Sequence, residues 1–269
     1  MRMNIIMAFN TGFFVPAITT IYSLFTNNNG VKLNILYTDL SDNAMILVKK
    51  LEGCGSGNTV CFTKLEQEML ERIKVATGRW RPECFFRYYV TELMTDVDRV
   101  LWLDSDILVR RSIEELYNTD MEEKSFAGVT DYTSNPVERL GIKDYINSGV
   151  LLFNLEKLRH SQMMSRFWEH VASPDYAGDL PDQDALNIVF EGDIKLLDQI
   201  YNSMPLTINE YADIFIENAA IVHFVSEHKP WKMEEMDYFA ACMAKFRTAD
   251  VFFREYWKML EDAAAFVSE

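Results

Sequence analysis

The feature that most constrains this chain is the order of apolar runs in its first 65 residues. Residues 3–9 read MNIIMAF, a near-continuous apolar run cut off by Asn10-Thr11-Gly12. Over residues 14–27, Val15, Ile18, Ile21, Tyr22 and Phe25 recur at helical spacing, and Asn27-Asn28-Asn29-Gly30 stops the helix. A second run, VKLNILYTD, fills 31–39; Ser41 then caps a helix through Leu51, Gly53 to Gly57 forms a loop, and NTVCFTKL at 58–65 is a third run. Runs without polar alternation are strands covered on both faces, as in parallel sheets. Strand, helix, strand, helix, strand predicts an α/β fold with a doubly wound, Rossmann-like sheet.

The pattern continues to the C-terminus. Residues 83–95 are predicted helical and carry Arg87, and VLWLDSDILV at 100–109 is predicted to be the central strand. A short helix is expected at 112–118 and a strand at 125–131. Residues 145–159 read as a strand entering a helix at Asn154 to Glu156. Helices follow at 161–171 and 182–190, and strands at 194–198 and 219–225; from about 233 the chain is helical and aromatic-rich. No internal repeat, low-complexity tract or linker interrupts it. The expected organisation is one domain over 1–232 with a mixed, mostly parallel sheet, and a helical extension packed on it over 233–269.

The net charge of −15 at pH 7 argues against nucleic acid as a partner, because phosphate binding needs clustered Lys and Arg. The same field is unfavourable for anionic membranes. Cys54, Cys61, Cys84 and Cys242 form no CxxC pair and are expected to be reduced or core thiols. The N-terminal apolar stretch is too short for a secretory signal, and no apolar run approaches a membrane span. A cytoplasmic protein, peripheral at most to the inner face of a membrane, is the expectation.

Within 100–109, an apolar strand ends in Asp104 and Asp106, one residue apart. Two such carboxylates repel each other and stay ionised at low cost when a cation sits between them. The carboxyl edge of a parallel sheet is also where α/β proteins bind ligands. Hard oxygen ligands suit Mg2+ or Mn2+, and an added imidazole favours Mn2+. The bland alternative makes Asp106 a turn or helix cap. A distant segment, IVHFVSEHKPW at 221–231, adds weight to the metal: a strand ends in His223, and Lys229-Pro230-Trp231 follows. Taken singly, His223 is an ordinary core histidine and Lys229 a surface charge.

VLWLDSDILV, YINSGVLLFNLEKLR, DQDALN and HFxxxxKPW, in that order, resemble glycosyltransferase family 8, the retaining enzymes that include glycogenin and bacterial lipopolysaccharide galactosyl- and glucosyltransferases. The resemblance covers roughly residues 3–231. It implies a GT-A fold, a UDP-hexose donor carrying glucose or galactose, Mn2+ with Mg2+ as the alternative, and a glycan, glycolipid or protein-glycan acceptor. It also implies that Asp104, Asp106 and His223 hold the metal, with Ser105 against the ribose. Lys229 would grip the diphosphate, and Arg87 would face the nucleotide or donor sugar. Asn147, with Ser148 and Gly149, and the pair Asp182 and Gln183 would touch the donor sugar, and Asp131 the sugar or acceptor. Leu152, Phe153 and Leu155 are expected in the core. Gln183 is a poor nucleophile, so front-face attack is the expected route.

The chain departs from the family pattern twice. The family opens with Ala-(Ser/Ala)-Asp-(Asp/Asn)-x-Tyr, whose Asp reads uracil; here the segment is Ala8-Phe9-Asn10-Thr11-Gly12-Phe13. The Asn10 carbonyl would take the hydrogen bond and Phe13 the stacking place. Ser226 stands where a Gly beside the phosphate is usual. The rival readings are a catalytically inactive sugar-nucleotide binder, a nucleotidyltransferase and an aspartyl phosphatase. The first predicts lost metal ligands. The second wants a Gly-rich basic loop after the first strand, where NTGFF has one Gly and no base. The third leaves Lys229-Pro230-Trp231 unexplained. In the extension, KFRTADVFFREYWKML (245–260) reads as a helix with its aromatic stripe on the core, or as a membrane-docking face near a lipid-linked acceptor.

Overall fold

Seven strands lie in the order β3-β2-β1-β4-β7-β6-β8 in the central sheet of this computed structural model. It describes residues 2–73, 82–173, 176, 179–205, 217–225, 229–232 and 247–269. The strands are β1 (Met3–Ala8), β2 (Val31–Tyr37), β3 (Thr59–Lys64), β4 (Arg99–Leu103), β6 (Phe126–Thr130), β7 (Ile146–Asn154) and β8 (Ile194–Leu197). Short β5 (Ile107–Val109) and β9 (Ile221–His223) make a separate antiparallel pair. Strands β3, β2, β1 and β4 run parallel, while β7 is antiparallel to both neighbours. The sheet is therefore mixed and mostly parallel, as the apolar runs predict.

Side-chain alternation splits the core. Ile5, Met7, Leu101 and Leu103 face one layer, with Ile21 and Phe25 of helix α1 (Phe14–Asn27). Ile6, Val100 and Trp102 face the other, with Phe85, Tyr88 and Phe167. Ser41 caps the helix Asp42–Lys50 through the amide of Ala44, as expected. Val15 is 45% exposed, and the buried residues of α1 begin at Pro16.

The run 100–109 is not one strand. β4 ends at Leu103, and β5 starts at Ile107 in the other sheet. Two ionised carboxylates do not continue a buried ladder, so the backbone turns out at Asp104-Ser105-Asp106. The Ser105 hydroxyl fixes that turn to the Ala8 carbonyl, at 2.9 Å. Thr20 donates to the carbonyls of Ser105 and Ile107, at 3.0 and 2.7 Å. The helix expected over 83–95 is 3-10 over Pro82–Tyr89 and α only over Val90–Leu93. This tighter winding buries Phe85, Phe86, Tyr88 and Tyr89 while keeping Arg87 among them.

The C-terminal helix Arg247–Ser268 packs Phe252, Phe253 and Tyr256 against Leu108, Val222 and Phe224. These aromatics are core, so they form no membrane-docking face. Lys245, Phe246, Cys242 and the rest of 233–246 lie outside the described residues. Cys54, Cys61 and Cys84 form no disulfide with one another, and Cys61 is exposed rather than core. Among the described residues no helix is long and apolar enough to cross a membrane.

Candidate active site

β1 feeds α1 and β2 on one side, while β4 lies on its other side. The strand order reverses there, which opens a crevice beyond the carboxyl ends of β1 and β4. A cavity of about 650 Å3 occupies it, in the size range of small-molecule sites. Its lining includes Ala8, Asn10, Phe13, Arg87, Asp104, Ser105, Asp106, Asp131, Asn147, Ser148, Gly149, Asp182, Gln183, His223 and Lys229. Every site residue named from the sequence is thus brought to one place except Ser226, which lies outside the described residues.

The register of the small sheet joins the two distant motifs. Ile107 pairs with His223, and the Phe224 amide donates to the Asp106 carbonyl at 3.0 Å. His223 Nε2 lies 3.2 Å from Asp106 Oδ1 and 3.9 Å from Asp104 Oδ2. Ligand atoms of the three residues lie within 4.8 Å of one another, the only such cluster found among the described residues. The second oxygen of each carboxylate is already held. Asp104 Oδ1 accepts from Trp102 Nε1 at 2.7 Å and pairs with Arg87 at 3.1 Å. Asp106 Oδ2 takes Lys229 Nζ at 2.7 Å. One oxygen from each, with an imidazole nitrogen, faces a common point, and that hard, mixed donor set fits a divalent metal. Gly149 makes the room: a Cβ there would stand 2.1 Å from His223 Cε1 and 3.0 Å from Asp104 Oδ2.

Arg87 lines the cavity and is held in place by neighbouring groups. Its guanidinium donates to the carbonyls of Cys84 and Ser148, pairs with Asp104, lies 3.6 Å from Asp182 and covers the Trp102 ring. It is a clamp on two carboxylates. Burial raises Asp182 and Arg87 opposes it, but Asp104 adds repulsion and the carboxyl stands at about 6. Burial also acts to raise Asp106, yet the Lys229 ammonium outweighs it and holds that carboxyl far below the ordinary range.

Gln183 Nε2 donates to Asp131 Oδ2 at 2.8 Å, and its Oε1 accepts from Asn147 Nδ2 and the Ser148 amide. Both lone pairs of that oxygen are used, which leaves it neither a nucleophile nor a free acceptor. Asn10 Oδ1 caps the turn through the Gly12 amide with one of its two lone pairs, and Nδ2 donates to Glu83 at 2.7 Å. Ser105 points at Ala8 rather than into open space.

Several neighbours escaped the sequence reading. Trp102 shares a strand face with Asp104, two residues on, and a buried indole needs an acceptor, so that contact had a local signal. Glu83 behind Asn10, Asn202 behind His223, and the Arg139–Asp184–Tyr145 group behind Gln183 had none.

Comparison with known proteins agrees with this geometry. The sequence profile described as Glycosyl transferase family 8 matches residues 4–235. The chain is 31% identical over 237 residues to Glycosyltransferase GlyF of Streptococcus pneumoniae, an overlap of 86% of this chain and 58% of GlyF. It is 26% identical over 171 residues to the lipopolysaccharide 1,2-glucosyltransferase of Escherichia coli, covering 58% of this chain and 51% of that protein. The chain thus spans little more than half the length of these relatives. Among solved structures, an active-site mutant of LgtC superposes with a TM-score of 0.69 at 23% identity, over 89% of this chain and 95% of that one. GlyE of S. pneumoniae gives 0.70 at 19% identity, over 99% and 62%. The fold is the GT-A fold, and the chain belongs to glycosyl transferase family 8.

Proposed function

We propose that this chain is a retaining hexosyltransferase that moves glucose or galactose from a UDP-sugar to a glycan, glycolipid or protein-glycan acceptor. It would use Mn2+, with Mg2+ as the alternative, and would work in the cytoplasm. Residues 1–232 would form the catalytic unit, with 233–269 bracing it. The observation that carries this reading is the convergence of Asp104, Asp106 and His223 in the switch-point cavity, beside Lys229.

Asp104, Asp106 and His223 would hold a divalent metal, which would supply positive charge to the diphosphate. Lys229 is the protein's own cation for the same task. Its ammonium pairs with Asp106 and the Phe224 carbonyl in this structure, close to where the leaving group would gather charge. As the bond from C1 to phosphate oxygen breaks, the sugar becomes cation-like, and Asp131 and Asp182 are the nearby carboxylates that favour it. The bond from C1 to the acceptor oxygen forms on the same face, and the acceptor proton passes to the departing phosphate. The saturated oxygen of Gln183 supports this front-face route over a covalent one. Phe13, 37% exposed at the cavity, offers a face for a base.

A thermal-shift panel of UDP, GDP, CDP and ADP, each with and without Mn2+, tests the donor class. UDP should raise the melting point, and only with Mn2+. A response to none of the nucleotides would overturn the reading, because both a transferase and an inactive sugar-nucleotide binder need that site. Asp106→Asn should abolish the Mn2+-dependent rise while leaving the metal-free protein folded.

A further inference from the structure

We propose that Asn202 is a positioning residue that holds His223 as the Nδ1–H tautomer, with the Nε2 lone pair turned toward Asp104 and Asp106. Its metal consequence rests on the function proposed above; the tautomer assignment stands on hydrogen bonds alone.

Asn202 is fully buried after the 3-10 turn Gln199–Tyr201, and the bridge from Ser203 to Val222 lays its segment beside β9. Its Oδ1 is 3.0 Å from His223 Nδ1, and its Nδ2 donates to Asn147 Oδ1 at 2.9 Å. An amide beside an imidazole admits two polarities, so the contact alone decides nothing. The backbone decides it. The Gly149 amide, which only donates, reaches Asn147 Oδ1 at 2.9 Å and fixes that oxygen as an acceptor. The Ser148 amide does the same to Gln183 Oε1 at 2.9 Å, so the donor toward it is Asn147 Nδ2 at 3.1 Å. Asn147 therefore presents Oδ1 to Asn202. Asn202 must answer with Nδ2 and is left with Oδ1 facing the ring. His223 Nδ1 then carries the proton. Two consecutive amides of β7 set the polarity of an amide chain that ends on the imidazole.

The opposite tautomer would put an N–H toward the carboxylates and leave Nδ1 against an oxygen with no proton between them. A metal ligand needs the lone pair at Nε2, and an oriented partner at the far nitrogen supplies it. The same chain continues through Gln183 Nε2 to Asp131, so one network ties the metal-facing histidine to the sugar-facing carboxylate.

The test uses the full chain labelled with 15N in its imidazoles. The chain has four histidines, so His223 is assigned by difference. In wild type with diamagnetic Mg2+ added, long-range 1H–15N correlation should place the proton on Nδ1 and leave Nε2, 3.2 Å from Asp106 Oδ1, bare. Asn202→Leu should mix the tautomers and weaken Mn2+ binding, read by EPR of the free ion, by about 10–100-fold. Asn202→Asp keeps an acceptor toward Nδ1 and should keep the tautomer. A wild-type proton on Nε2 overturns the proposal, as does Asn202→Leu with unchanged tautomer and unchanged Mn2+ affinity. Should Asn202→Leu not fold, the wild-type spectrum still decides. A wild type that shows Nδ1–H yet binds no Mn2+ strikes the metal reading and leaves the tautomer assignment standing.

Discussion

Asp182 is held between one cation and one anion, Arg87 on its own oxygen and Asp104 beyond, and it is buried. Its carboxyl stands at about 6 against an ordinary 3.8. The folded state thus holds a proton that the unfolded state releases, so this group's contribution to stability falls as pH rises from 3.8 to about 6. About two pKa units correspond to roughly 3 kcal/mol at most. Asp182→Asn should remove that loss. Urea unfolding in the presence of chelator should show the variant gaining on wild type across this window and holding a constant advantage above it. Asp106 runs the other way: its pKa is depressed, so its contribution is lost only on acidification far below this window. Gly149 makes a second residue-level case. A methyl at 2.1 Å from His223 Cε1 displaces the ring, so Gly149→Ala should weaken Mn2+ binding by about 10-fold or more, as measured by metal titration.

The pairing of β5 with β9 is the element on which the site depends, because it alone sets His223 opposite the end of the Asp104–Asp106 turn. Behind that pair lies the C-terminal helix. Arg110, directly after β5, is bound to Glu255 through two hydrogen bonds of 2.6 and 2.9 Å. Trp257 Nε1 donates to the Pro230 carbonyl at 2.6 Å, and Trp231 packs on Tyr256 with ring centroids 5.6 Å apart. The helix therefore anchors the loop that carries Lys229. Trp257→Phe keeps most of the apolar contact and removes one hydrogen bond worth about 1 kcal/mol. Nucleotide affinity should fall by up to about 5-fold, with little change in metal affinity, and paired calorimetric titrations would separate the two. Phe253→Ala, by contrast, opens a core cavity and should cost about 3–5 kcal/mol of stability, read by chemical denaturation.

Across the whole molecule, a ligand that binds only the folded state raises its stability by mass action. At a free Mn2+ concentration of 100 times Kd the gain is about 2.7 kcal/mol. For a chain of this size that is a rise of about 5–10 °C in Tm, which EDTA should reverse and which Asp106→Asn should lack.

The sheet was legible because its information is local. Largely apolar runs at 3–9, 31–39 and 58–65, with helical periods between them, admit few structures other than a doubly wound one. Two carboxylates one residue apart at a strand end likewise pointed to a cation, with a turn or helix cap as the alternative. Other features were set by contacts between segments distant in sequence. The second half of the run 100–109 joined a separate sheet because Ile107 pairs with His223 and the Asp106 carbonyl accepts from the Phe224 amide, over a hundred residues away. Arg87 lines the cavity and also clamps Asp104 and Asp182, which its motif did not announce. Gln183 lost its free oxygen to Asn147 and Ser148, and Asn202 found His223 with no pattern around it to mark it. Apolar periodicity records which face of an element is buried. Hydrogen-bond polarity depends on which donors and acceptors meet, and here that was settled only when β7, the turn after β8 and β9 came together.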